Sequence, residues 1–127
     1  GSIPVLFDVL TGAAAHIKGG RAKALAVTTP QRSPSFPDVP TVAESGLKGY
    51  ETYTWNAIFA PAGVPTAVAE ALSKEFQRAA LDPELQEKFK ELSAIPVGST
   101  PEGLSSHVKS ELDKWGPIVK NLNLKLD

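Results

Sequence analysis

Neither cysteine nor methionine occurs in the 127 residues of this chain. No disulfide, thiol nucleophile or thiolate metal site can be built from it, yet many exported bacterial proteins also lack cysteine, so the compartment stays open. Long apolar runs are missing too: no stretch approaches the roughly 20 residues that span a bilayer as a helix. Nor is there an excess of charge. Thirteen basic and fourteen acidic residues give a formal charge of -1, and no block of like charge stands out. Nucleic acid is therefore not an expected partner, because that affinity needs clustered Lys and Arg. An initiating Met and a signal peptide are also lacking, and the opening Gly1-Ser2 reads as an expression scar or a processed end.

What is present is a 42% hydrophobic chain, long enough for one ordinary core. Residues 3–7 form a short apolar, β-prone run that ends at Asp8 and reads as a strand. Thr11 is placed to cap a small helix through Lys18, with Gly19 and Gly20 supplying a left-handed stop. Residues 24–28 read as the next strand, completing the parts of a parallel βαβ unit. Four prolines between Pro30 and Pro40 require an extended loop, followed by a helical turn or two from Thr41 and Glu44 that Gly46 ends. Residues 50–60, rich in aromatic and β-branched side chains, predict a strand.

Three helices are expected after that. Pro65 sits as a first-turn proline ahead of Val68, Leu72 and Phe76 at helical spacing. Asp82 caps a second helix with Pro83 in its first turn and Leu85, Phe89 and Leu92 as its stripe. After a strand candidate at 95–97, Thr100 caps a third helix, whose apolar face includes Leu104, Val108, Leu112 and Trp115; Pro117 is expected to kink or end it. The class is α/β, with few strands for a full sheet.

Several segments together resemble the Bug family, the extracytoplasmic solute receptors of tripartite tricarboxylate transporters. They are Pro-Asp-Val-Pro-Thr-Val-Ala-Glu at 37–44, Phe-Ala-Pro-Ala-Gly at 59–63, Pro-Val-Gly-Ser-Thr-Pro-Glu at 96–102 and Lys114-Trp115-Gly116, in the family's order. The resemblance runs from Val5 to about Leu122. It implies a partial type II periplasmic-binding-protein fold: a βαβ segment from the C-terminal part of the second lobe over 3–52, then the crossing strand and C-terminal helices of the first lobe over 53–127. A complete member would be about twice as long. The implied protein is a periplasmic one that captures a small organic carboxylate and hands it to membrane transporter subunits, with no cofactor and no catalysis.

The resemblance also implies ligand-site residues. Asp8 falls in the family's Phe-Asp segment with Phe7, where a carboxylate accepts hydrogen bonds from a ligand or ordered water; the alternative is that it orders the following loop. Val9 departs from the polar or small residue common there, which favours backbone contacts or a less polar ligand. Thr28 ends a strand and can offer its hydroxyl, or can simply begin the proline loop. Tyr53 and Trp55 share a strand face, to line the cleft or to seal the core.

Other chemistry finds no constellation. His16 stands near a helix end and His107 on a helix, neither at metal-ligand spacing from other donors, and no serine sits in a nucleophile elbow. Two further readings compete with the receptor. In one, the chain is a stable module without solute affinity that covers an incomplete face with a second copy of itself, by dimerisation or domain swapping. In the other, it is the effector-binding domain of a transcription regulator.

Overall fold

The computed structural model describes residues 3–122. Four helices occur among them: α1 (Leu10–Lys18), α2 (Thr66–Ala80), α3 (Pro83–Glu91) and α4 (Pro101–Asn121). None is long and apolar enough to cross a membrane. The described residues divide into two compact units, 3–56 with 82–96 and 57–81 with 97–122.

The helix starts follow local chemistry. Asp82 accepts the Leu85 N–H at 3.0 Å and Thr100 accepts the Gly103 N–H at 3.1 Å, each satisfying a donor that the first turn leaves without a partner. Two expected starts shift, that of α1 by two residues and that of α2 by one. Thr11 lies inside α1 rather than capping it, because the Val9 carbonyl already takes the Gly12 and Ala13 N–H groups at 2.9 and 3.0 Å. Pro65 stands at the N-cap of α2, one position before its first turn. Pro117 does not end α4, which runs on to Asn121. Gly116 before it has no Cβ to collide with the pyrrolidine ring, which removes one part of the usual penalty against helix at that position.

The expected strands do not form ladders among the described residues. Residues 3–7, 50–60 and 95–97 are without strand pairing, and the 24–28 segment makes one isolated parallel bridge, Val27 to Thr41. Apolar, β-branched sequence favours extended backbone but does not supply the second backbone that a ladder needs. Val27 is nonetheless pinned on both sides of its peptide: its N–H donates to the Pro40 carbonyl and its carbonyl accepts from the Val42 N–H, each at 2.9 Å.

In the first unit the proline segment is folded rather than merely extended. Phe36 N–H returns to the Ser33 carbonyl at 3.0 Å and Val39 N–H to the Phe36 carbonyl at 3.1 Å, two successive turns. Ser33 and Thr41 are buried, so this is not simply a surface connection. The segment touches α1 through Lys18, whose Nζ lies 5.9 Å from the Phe36 ring centre, and α3 through Ser35, whose hydroxyl donates to the Lys90 carbonyl at 3.5 Å.

In the second unit the residues before α4 pack on α2. Gly98 (φ 59°) packs so closely on α2 that an added Cβ would lie 2.9 Å from the Ala80 Cβ. Across both units Ala14 is the one buried hydrophobic residue among those described. The helical stripes have the expected period but stay open, with Leu72 at 47%, Phe76 at 48% and Leu112 at 67% exposure. The periodicity was legible; its burial is not seen among the described residues.

Candidate functional site

Phe7, Asp8, Val9, Thr28 and Trp55 all fall in the first unit. Phe7 is 81% exposed and Val9 is exposed, on the run that leads into α1. The Asp8 carboxylate is turned toward the start of that helix. Its Oδ1 accepts the Val9 N–H at 2.8 Å, and its Oδ2 lies 3.6 Å from where a Cβ on Gly12 would stand. The carboxylate thus stands over the first turn, where the helix dipole favours a negative charge. This geometry gives Asp8 a loop-ordering bond and keeps the residue exposed to solvent.

Thr28 is half-buried, and its carbonyl accepts the Thr52 N–H at 2.9 Å. That bond sets the end of the 24–28 segment beside the segment carrying Tyr53 and Trp55, a pairing of distant residues that spacing alone does not show. Trp55 is half-buried, whereas Tyr53 keeps 38% exposure.

The proline segment holds Val27 and Thr28 in place through a set of interactions that the sequence reading did not assign. Arg32 Nε donates to both oxygens of the Glu44 carboxylate, at 3.1 and 3.0 Å, while its Nη1 donates to the Pro37 carbonyl at 3.0 Å. Glu44 also accepts the Thr41 N–H at 2.7 Å, and Thr41 Oγ1 accepts the Glu44 N–H at 3.0 Å. The last two bonds are a reciprocal capping box, and the Thr-x-x-Glu spacing was the signal that predicts it. The Thr41 backbone N–H, followed by the Arg32 side chain, holds the Glu44 carboxyl below the ordinary glutamate value.

His16 is not poised as a base or ligand. Its Nδ1 accepts from Arg21 Nε at 3.0 Å, and no group of three or more metal-ligating side chains occurs among the described residues.

The chain has an α/β fold of a known class, a partial type II periplasmic-binding-protein fold, as its likeness to solved structures shows. The structure of the periplasmic binding protein BugD is 36% identical with a TM-score of 0.75, over 89% of this chain and 38% of that one. That of R. palustris Rpa4515 with adipate is 32% identical with a TM-score of 0.76, over 87% and 37%. The model of the tripartite tricarboxylate transporter family receptor matches residues 2–124, and the chain belongs to that family, the one to which Bug proteins belong. Among curated relatives, a UPF0065 protein of the tcbD-tcbE intergenic region of Pseudomonas sp. strain P51 is 37% identical over 125 residues. That match takes in 98% of this chain but 37% of the relative, so the chain spans just over a third of the length of such proteins.

Proposed function

We propose that this chain is the C-terminal part of a periplasmic receptor that captures a small organic carboxylate for a tripartite tricarboxylate transporter. The family match over residues 2–124 carries this reading, and the adipate in a structure of 32% identity supports the ligand class. In this proposal residues 3–52 belong to one lobe and 53–127 to the other. Phe7, Asp8, Val9 and Thr28 contribute to the cleft from the first of these, and Trp55 from the crossing segment of the second. Affinity comes from backbone amides, bridging waters and lobe closure, with no covalent step.

Calorimetry of the complete receptor against adipate, other di- and tricarboxylates, aromatic acids and amino acids tests the reading. Saturable binding of at least one carboxylate class is expected, and silence across all of them refutes it. Asp8→Ala should weaken binding roughly tenfold, the value of one lost charge-assisted hydrogen bond. Unchanged affinity removes Asp8 from the site.

The self-associating reading is favoured by a different observation, that Ala14 is the single buried hydrophobic residue among those described. Sedimentation of the 127-residue chain decides it: association that deepens with concentration supports it, and a well-behaved monomer refutes it.

A further inference from the structure

One peptide group links the proline segment to the candidate site. The carbonyl of the peptide between Pro40 and Thr41 accepts the Val27 N–H at 2.9 Å, and the N–H of the same peptide donates to Glu44 Oε2 at 2.7 Å. A charged acceptor on the N–H side polarises the group and strengthens its carbonyl as an acceptor. The Glu44 carboxylate is in turn held by Arg32 Nε, which reaches its two oxygens at 3.1 and 3.0 Å. Arg32 therefore acts on Val27 through Glu44 and then through the backbone at Thr41.

The path continues past Val27. Thr28 follows directly, and its carbonyl accepts the Thr52 N–H at 2.9 Å, which ties on the segment that carries Trp55. The chain then turns away at once: Thr29 Oγ1 donates to the Gln31 carbonyl at 2.6 Å, and Arg32 Nη1 donates to the Pro37 carbonyl at 3.0 Å. Among the described residues the 24–28 segment has no ladder beyond the bridge from Val27 to Thr41. Where Thr28 stands is thus set by these few bonds rather than by a sheet.

The pair of Arg32 and Glu44 is poorly placed to add much stability. Its side chains are 44% and 47% exposed, and ion pairs open to water contribute little. What the arginine supplies is geometry. With Nε on the carboxylate and Nη1 on a backbone carbonyl, the planar guanidinium is fixed against both ends of the loop, which a lysine ammonium cannot copy.

We propose that Arg32, acting through Glu44, is a positioning residue for the solute site, setting where Thr28 and the segment toward Trp55 stand and so tuning affinity for a carboxylate that it does not itself touch. The proposal rests on the receptor reading above, in which Thr28 and Trp55 meet the solute. An arginine near a carboxylate site invites the simpler reading of direct contact, but here its Nε and Nη1 are engaged by the loop itself.

The test uses the complete receptor, with adipate, citrate, benzoate and glutamate as separate probes in calorimetry at a temperature where every variant is fully folded. Arg32→Ala should weaken binding of the tightest probe by roughly three- to tenfold. Arg32→Lys, which keeps the charge but not the fork, should fall between the two. Hydrogen exchange read at peptide level without solute should show residues 24–28 and 50–54 exchanging faster in Arg32→Ala, with α4 unchanged. Thr100→Ala, which loses a helix cap in the other unit, is the control: its melting midpoint should fall while its affinity stays the same. Equal affinity of Arg32→Ala and the unaltered receptor overturns the proposal. So does weaker binding with unchanged exchange over those two segments, which marks direct contact, and so does an equal loss of affinity in Thr100→Ala, which marks a general effect of stability. Failure of the receptor reading shows separately, as an unaltered receptor that binds none of the carboxylates.

Discussion

Replacing Ser93 by glycine should stabilise this protein. α3 ends at Glu91 with Leu92 as its C-cap, and Ser93 then takes φ 56°. Its N–H donates to the Lys90 carbonyl at 2.9 Å and the Ala94 N–H donates to the Phe89 carbonyl at 2.9 Å. The same pair of bonds closes α1, but there Gly20 occupies the left-handed position. Serine carries a Cβ into a conformation that disfavours one by about 1 to 2 kcal/mol, and its Oγ is buried with no hydrogen-bond partner. An unsatisfied buried hydroxyl adds about 1 to 3 kcal/mol.

Glycine removes both penalties but raises the entropy of the unfolded chain, which offsets about 0.4 to 1 kcal/mol. A net gain of about 1 to 2 kcal/mol follows, since neither penalty is recovered in full when neighbours relax. For a chain of this size that corresponds to a midpoint several degrees higher, roughly 3 to 8 °C. Thermal and urea unfolding of Ser93→Gly and Ser93→Ala measured side by side separate the two causes, because alanine drops the hydroxyl but keeps the Cβ. Alanine should fall between serine and glycine. A Ser93→Gly protein no more stable than the parent refutes the reasoning as a whole. Alanine equal to glycine would refute the backbone part alone.

Three other outcomes are expected. Glu44 has its pKa lowered by the Thr41 N–H and Arg32, so its contribution to stability is present above the unfolded-state value and is lost as pH falls through the lower folded-state value. Urea midpoints taken from neutral to acid pH should show Glu44→Gln less stable at neutrality and the difference closing in acid; a pH-independent difference would sink this account. Gly98→Ala should destabilise by about 2 kcal/mol or more, from left-handed strain and overpacking, since its new Cβ would meet that of Ala80 at 2.9 Å; an unchanged melting midpoint would show that α2 yields freely. Asp82→Ala should lose about 1 kcal/mol of stability through its missing cap, checked by denaturant titration against Thr100→Ala as a second capping variant.

What the sequence made legible is what is decided within a few residues. The Asp82 and Thr100 caps, the stop at Gly19-Gly20 and the period of the apolar stripes depend on neighbours that the chain itself places close by. Strands were overcalled because Val27 needs the backbone at 40–42 for its bonds, and nothing in the run from Ala24 to Thr28 names that partner. The Thr28 to Thr52 bond was hidden for the same reason. Arg32 and Glu44 are twelve positions apart, outside any helical spacing rule, although the Thr41 to Glu44 box was readable. Ser93 escaped notice because serine does not advertise a left-handed turn as glycine does. Of the candidate site, residue types and their family positions were readable, whereas the orientation of Asp8 over Gly12 required the fold.

The pinning of Val27 between Pro40 and Val42 has a consequence for the order of folding. The bridge joins residues only fourteen positions apart, Val27 and Thr41, and closing so short a loop carries a modest entropic penalty that grows only slowly with length. Proline lowers it further, because each ring removes freedom that the unfolded segment would otherwise lose on closure. The run that looks like an interruption between secondary-structure elements is therefore the natural place for this half of the molecule to nucleate. Its bonds to Val27 and within itself are local, and it carries its own polar fastening in Arg32, Thr41 and Glu44. The helical stripes, still open among the described residues, are the parts to consolidate last.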